Sequence, residues 1–90
     1  NCDDILYLEA MRDYVAIYTE AGEKILTLNT LQNIAAMLPA SLFVRTHRSF
    51  IVHLGKIQVV ERNGVLFGKT RIPVSNYYRK ALLSRIRTKN

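Results

Sequence analysis

The sequence contains a single cysteine, Cys2, which excludes an intrachain disulfide and, with only two histidines, makes no zinc-ligand pattern. No apolar run approaches the roughly eighteen residues that a transmembrane helix needs, and no signal peptide pattern opens the chain. The four glycines are scattered and form no phosphate-binding loop motif. These absences predict a protein of the reducing cytoplasm that needs no metal or nucleotide cofactor and does not span a membrane.

Acidic residues are almost missing from the second half of the chain. Residues 1–40 carry two basic side chains against six acidic ones, a net charge of −4, whereas residues 41–90 carry eleven against one, a net charge of +10. Such asymmetry indicates a polyanionic partner bound mainly by the second half. Nucleic acid is one such partner and an acidic membrane surface is another, while many basic surfaces are only solvated.

Most of the chain has the pattern of short β-strands. Runs rich in β-branched and aromatic residues, bounded by turn residues, predict strands at 5–8, 14–19, 24–28, 42–45, 50–52, 57–61, 65–67 and 71–74. Asn63-Gly64 is the favoured dipeptide of a two-residue type I′ hairpin turn. The polar segments 11–13 and 46–49 separate strands without forming part of them.

Two stretches change to a helical period. Leu31, Ile34, Ala35 and Leu38 form one apolar stripe and predict a helix near 30–38, which Asn29 or Thr30 can cap and Pro39 ends. A second helix is predicted near 76–86, where Tyr78, Leu82 and Ile86 share a face and Ser75 can act as the N-cap. The prediction is therefore one mainly β domain over residues 1–90, with short antiparallel strands and two short helices.

Catalysis has little support in these residues. A nucleophile and base pair of Ser49 and His47 lacks a third orienting group nearby, so no enzymatic activity is expected. The segment from Arg45 to Ser49 suits DNA better, because arginine can bond guanine bidentately and hydroxyls or imidazole can bond phosphate. In the alternative interpretation, Arg45 lies on a strand and pairs with an acidic residue, while His47 only makes the hydrogen bonds of a turn.

Three segments of the sequence stand out as motifs. The first is Asp4-Ile5-Leu6-Tyr7-Leu8-Glu9-Ala10 followed by Asp13-Tyr14-Val15. The second, long and specific, is Leu38-Pro39 followed by Phe43-Val44-Arg45-Thr46-His47-Arg48-Ser49-Phe50-Ile51-Val52-His53. The third is Ile72-Pro73-Val74-Ser75-Asn76. Together these segments resemble the LytTR family of DNA-binding domains, and their order and spacing agree with the family pattern from about residue 4 to residue 86.

This resemblance implies a fold and a function. Family members have small stacked sheets of antiparallel strands and bind duplex DNA through loops. They usually form the C-terminal output domain of a two-component response regulator and bind repeated promoter sites to regulate transcription. The resemblance therefore implies promoter DNA as the partner, with a homodimer on DNA as one arrangement it allows, for a chain that would be the C-terminal part of a longer bacterial regulator.

The resemblance also implies which loops face DNA, namely 11–14, 46–49 and 75–79. Base contacts are expected from Arg48, Asn76 and Arg12. Phosphate contacts are expected from four residues: His47, Ser49, Ser75 and Arg79. Arg45 and Tyr14 are further candidates for DNA contact, although Tyr14 could instead pack beneath its loop.

The sequence departs from the family pattern at two positions. His53 replaces the usual asparagine, which affects one local turn bond, and Asn76 replaces a common arginine, which suits adenine better than guanine. Two other functions stay open. An RNA or single-strand binder would need exposed aromatic residues on a strand face, and a basic protein-interaction module would not need the three loops.

Overall fold

Antiparallel strands make up most of the chain in the computed structural model, which describes residues 2–88. The larger sheet has five strands in the order β3-β2-β1-β5-β4. They are β1 (Ile5–Met11), β2 (Tyr14–Thr19), β3 (Lys24–Leu28), β4 (Phe43–His47) and β5 (Phe50–His53). The first three form a meander, and the β4–β5 hairpin joins it through antiparallel pairing of β5 with β1.

The smaller sheet has three strands in the order β6-β7-β8, which are β6 (Val59–Glu61), β7 (Gly64–Phe67) and β8 (Thr70–Pro73). Single 3₁₀ turns precede β1 (Cys2–Asp4) and follow β5 (Leu54–Lys56). The prediction of mainly antiparallel strands in two small sheets is confirmed, although the predicted strand at 57–61 is shorter than expected.

Both predicted helices are present, as α1 (Leu31–Met37) and α2 (Asn76–Thr88). Thr30 is the N-cap of α1, because its hydroxyl accepts the backbone N–H of Asn33 at 3.1 Å. Leu31 and Ile34 are buried as the stripe predicts, but Ala35 is exposed. Neither helix, within the part of the chain described, combines the length and apolarity needed to cross a bilayer.

The larger sheet buries apolar residues on both of its faces. One face packs on α1 through a cluster of Leu8, Val15, Leu31, Ile34, Phe43 and Ile51. The other face packs on the smaller sheet and α2 through Tyr7, Val44, Val52, Leu54, Val65, Phe67, Ile72, Val74 and Leu82. Alternate side chains of a strand point to opposite faces, so successive residues such as Val52 and Ile51 belong to different clusters.

Helix α2 lies along β4, the edge strand of the larger sheet. The guanidinium of Arg85 donates to the carbonyl oxygens of Phe43, at 3.4 Å, and of Ala40. An uncovered edge strand exposes unpaired backbone groups. Helix α2 covers the β4 edge, and the start of α2 therefore lies beside the end of β4.

The predicted hairpin turn at Asn63-Gly64 is wrong by one residue. Glu61 pairs with Gly64, so Arg62 and Asn63 form the two-residue loop and Gly64 begins β7. Gly64 does not have the positive φ of a type I′ turn. A Cβ there would lie 2.9 Å from Cζ of Arg71, whose Nε donates to Glu61 at 2.9 Å, so a larger residue would displace this flexible side chain.

His53, which replaces the family asparagine, keeps a local turn bond. Its Nδ1 accepts the backbone N–H of Gly55 at 3.0 Å and so caps the 3₁₀ turn after β5. The imidazole also makes an edge contact with the ring of Phe43, at 4.9 Å between centroids. The histidine therefore supplies the acceptor that an asparagine oxygen could supply.

Candidate nucleic-acid interface

Four turns lie at one end of the molecule, which we call the loop end. It consists of the β1–β2 turn (12–13), the β4–β5 turn (48–49), the β6–β7 turn (62–63) and the first turn of α2 (75–79). Three backbone hydrogen bonds join these turns. They run from Ala10 N to Ser49 O at 2.8 Å, from Ser75 N to Thr46 O at 2.8 Å, and from Val74 N to Asn63 O at 2.9 Å. The three segments predicted to face DNA are therefore neighbours.

A β-bulge makes one of these bonds possible. The β4–β5 register shifts between Arg45 and His47, which takes Thr46 out of the pairing, and the carbonyl of Thr46 accepts from Ser75 instead. Thr46 is fully buried and His47 ends β4, so the predicted loop 46–49 is shorter than expected. Its true tip is Arg48 and Ser49, because strand pairing extends to His47.

The β1–β2 turn is also tighter than predicted, since Met11 and Tyr14 both belong to strands and only Arg12 and Asp13 form the turn. Arg12 is exposed and has a φ of 49°, in the left-handed region that side chains other than glycine disfavour. Tyr14 is 47% exposed and lines, with Leu26 and the turn itself, an open recess of about 460 Å³. It therefore lies beside the turn and is not buried beneath it.

The β4–β5 turn presents one exposed cation, Arg48, between two half-buried neighbours. His47 Nδ1 accepts the backbone N–H of Ser49 at 3.1 Å. The imidazole and the Phe50 ring are arranged edge to face, with 5.7 Å between their centroids. An imidazole that accepts at Nδ1 carries its proton at Nε2, which can donate to an anion. Ser49 contributes its backbone to this bond, so the pair does not have a nucleophile and base arrangement.

Arg45 is bound within the protein. Its Nε donates to His47 O at 3.1 Å and its Nη2 donates to Arg48 O. Its guanidinium carbon also lies 5.9 Å from the ring centroid of Tyr78 in α2. The alternative in which Arg45 pairs with an acidic residue is wrong, because the acceptors are backbone carbonyls of the adjacent turn.

The first turn of α2 brings polar and aromatic groups to the loop end. The carbonyl of Ser75 accepts the N–H groups of Tyr78 and Arg79, both at 3.0 Å, so the helix starts directly after Ser75. Asn76 is exposed and Arg79 is half-buried. The free N–H groups and the dipole of a helix N-terminus favour an anion here.

Two groups at the loop end were not predicted from the sequence. Tyr77 is 85% exposed and stands next to Asn76. Arg62 is exposed in the β6–β7 turn, and its neighbour Glu61 is already paired with Arg71 at 2.9 Å. The position of Tyr77 in the first helical turn could have identified it, but the position of Arg62 depends on the pairing of Gly64 with Pro73, which no local pattern gives.

The chemistry of the loop end suits a structured polyanion. It carries four arginines, namely 12, 48, 62 and 79, on tips that rigid strands or a helix support, and one acidic residue, Asp13, lies among them. Tyr7, Phe43 and Phe67 are buried and cannot stack on single-stranded bases, whereas Tyr14 and Tyr77 are exposed at the loop end. No cluster of His, Cys, Asp or Glu among residues 2–88 could hold a metal ion.

Comparisons with known proteins agree with this geometry. Residues 1–87 match the model of the LytTR family, described as the LytTr DNA-binding domain. The sensory transduction protein LytT of Enterococcus faecalis is 32% identical over 92 residues, which cover 87% of this chain and 38% of that protein. The transcriptional regulatory protein YpdB of Escherichia coli K12 is 37% identical over 59 residues, which cover 66% and 24%.

A solved LytTr DNA-binding domain from Bacillus cereus has the same fold. It superposes with a TM-score of 0.80 and 27% identity, covering 93% of this chain and 82% of the other. The curated relatives are longer than this chain, which spans 38% of the first and 24% of the second.

Proposed function

The chain belongs to the LytTR family of DNA-binding domains, and on that premise we propose that the loop end recognises a specific duplex sequence. Two backbone hydrogen bonds, from Ala10 N to Ser49 O and from Ser75 N to Thr46 O, hold the predicted contact segments side by side, and this is the observation that carries the proposal. Strand-supported tips can enter a groove and keep the orientation that base recognition requires.

The proposal assigns base contacts to Arg48, Asn76 and Arg12. Arg48 is exposed between two strands, so its guanidinium can address the O6 and N7 atoms of a guanine. Asn76 is exposed at the start of α2 and suits adenine. Arg12 keeps an unfavourable backbone conformation at the tip of its turn, and such strain is concentrated at functional positions.

Phosphate contacts are assigned to groups around these tips. His47 can donate from Nε2, Ser75 and Arg79 lie at the N-terminus of α2, and Ser49 lies beside Arg48. Tyr14 and the newly identified Tyr77 are exposed at the same end. Arg62 joins them as a further phosphate contact, because the β6–β7 turn adjoins Val74 and Ser75.

We also propose a biological setting, supported by the names of the relatives, which denote sensory transduction and transcriptional regulation. The chain would be one DNA-binding domain of a longer cytoplasmic regulator, without catalytic activity, and would control transcription as the output of a two-component system. The loop end is compact and would cover one short site, so two copies of the domain would bind repeated promoter sites.

Selection of preferred sequences from random duplexes, followed by binding titrations, tests the proposal. Arg48→Ala should cost about 1–3 kcal/mol on the selected duplex, the range for a bidentate base contact, and much less on a scrambled duplex. Lys69→Ala is the matched control, since it removes one charge in the β7–β8 turn at the opposite end of the smaller sheet. It should change neither affinity appreciably.

The salt dependence of binding provides a second measurement. Neutralising about five or six phosphates gives a slope near −5 in log K against log salt concentration. Enrichment of no duplex sequence, or tighter binding to single strands, would reject the proposal. An equal effect of Arg48→Ala on both duplexes would keep DNA as the partner but reassign base recognition to Asn76 or Arg12.

A further inference from the structure

We propose that Arg45 is a positioning residue, which orients Arg48 and the start of α2 without contacting DNA itself. The inference rests on the proposed function of the loop end. It assigns to Arg45 a role different from the DNA contact that the sequence suggested.

The Arg45 side chain joins two consecutive carbonyls, those of the His47–Arg48 and Arg48–Ser49 peptide bonds, which lie on either side of the Arg48 Cα. Nε donates to His47 O at 3.1 Å, and Nη2 donates to Arg48 O. A planar guanidinium presents two donors at a fixed spacing, whereas a lysine ammonium is a single flexible point charge. Arg45 can therefore fix the orientation of these two peptide groups in a way that lysine cannot.

These bonds restrain the backbone of Arg48 through a side chain of β4, the strand that leads into the turn. The backbone of the next residue is restrained as well, because Ser49 N donates to His47 Nδ1 at 3.1 Å and Ser49 O accepts from Ala10 at 2.8 Å. The exposed side chain of Arg48 therefore extends from a turn that is fixed on both sides. Removing the contribution of Arg45 would release one side.

The same guanidinium connects the β4–β5 turn to α2. It lies over the ring of Tyr78 at 5.9 Å, a cation–π distance, and Tyr78 follows the exposed pair Asn76 and Tyr77 on the first helical turn. The β4–β5 turn and the start of α2, which would contact neighbouring bases, are thus both in contact with the Arg45 guanidinium. Its half-buried position, with Nε and Nη2 bonded and one face over a ring, makes it a poor phosphate ligand.

Substitutions that separate charge from geometry test this inference on the 90-residue chain. Arg45→Lys keeps the charge and should lower the preference for the selected over the scrambled duplex by about tenfold, within the range of one lost bidentate base contact. The salt slope should stay the same, because no phosphate contact is lost. Lys69→Ala serves again as the control for charge, and thermal unfolding confirms that each variant is folded.

A double-mutant cycle identifies the residue through which Arg45 acts. In an Arg48→Ala background, Arg45→Lys should change the preference little, because coupled residues are non-additive. Tyr78→Phe should retain the preference and Tyr78→Leu should lose about threefold of it, as expected from a cation–π contact at a partly exposed site. Fully additive losses from Arg45 and Arg48 would overturn the inference, as would a retained preference in Arg45→Lys or a shallower salt slope in Arg45→Gln.

A measurement without DNA separates this inference from the proposed function. Amide hydrogen exchange at Ser49 should be faster in Arg45→Lys than in the wild type, by about tenfold, because the turn opens more often. Unchanged exchange would overturn the positioning role even if the domain binds DNA. Faster exchange in a protein that prefers no duplex would leave Arg45 as the support of the turn and reject the proposed function instead.

Discussion

Replacing Thr46 by valine should make the protein more stable. Thr46 is 0% exposed, and its hydroxyl has no hydrogen-bond partner among the described residues. A buried hydroxyl without a partner costs about 1–3 kcal/mol in proteins, whereas the methyl group of valine has nearly the same shape and no such cost. The bond from Ser75 to the backbone of Thr46 would remain. We expect the free energy of unfolding to rise by about 1–2 kcal/mol.

Thr19 provides the matched control. It is also a strand threonine and only 8% exposed, but its hydroxyl accepts the backbone N–H of Glu23 at 3.1 Å. Thr19→Val removes that acceptor and should lower the free energy of unfolding by about 1 kcal/mol. The same chemical change is thus expected to act with opposite sign at the two positions.

Urea denaturation followed by far-ultraviolet circular dichroism measures both effects. With a denaturant slope of about 1 kcal/mol per molar for a small domain, the midpoint should move by about 1 M, upward for Thr46→Val and downward for Thr19→Val. A lower midpoint for Thr46→Val would show that its hydroxyl is hydrogen-bonded and refute the argument. A higher midpoint for both variants would mean that packing, not hydrogen bonding, dominates at both sites.

Three further predictions concern the turns and the aromatic core. Arg12→Gly should raise the free energy of unfolding by about 0.5–1 kcal/mol in urea titrations, because glycine tolerates positive φ. The same variant should weaken binding to the selected duplex. A loss of stability would contradict backbone strain at Arg12. Arg62→Ala should weaken binding to selected and scrambled duplexes alike and make the salt slope shallower by about one unit, whereas a loss confined to the selected duplex would make Arg62 a base contact. Burial, with smaller contributions from Tyr18 and Glu9, raises the pKa of Tyr7 above its ordinary 10.0. The folded state then holds the Tyr7 proton more tightly than the unfolded state does, so the stabilising effect of the protonated hydroxyl is complete below pH 10.0 and is lost at higher pH. Above pH 10.0 the free energy of unfolding should therefore fall more steeply in the wild type than in Tyr7→Phe. Parallel pH curves for the two proteins would refute this.

Local pattern was sufficient for much of the fold. The strands β2 and β3 begin and end where predicted, because turn residues bound a run of β-branched and aromatic residues on each side. The helical period likewise located α1 and the start of α2. These features depend on neighbours in sequence, which the pattern contains.

The geometry of the loop end depends on contacts between distant residues. The bulge that exposes the carbonyl of Thr46 to Ser75 joins positions 29 residues apart, and no local signal marks it. The family resemblance named the contact segments, but the role of Arg45 within its turn and the position of Arg62 follow only from the pairing of strands. The one-residue shift of the β6–β7 turn likewise follows from strand pairing, in which Glu61 pairs with Gly64 and Gly64 with Pro73.

The three bonds that join the turns of the loop end connect main-chain atoms only. Every amino acid except proline supplies the same N–H and C=O groups, so exposed tip residues can be exchanged without losing these bonds. Mutations at positions 12, 48 and 76 could then alter the preferred sequence while the scaffold persists. Divergence among relatives would be gradual, one base preference at a time, and an exchange of these three residues between two relatives should carry the preference with them.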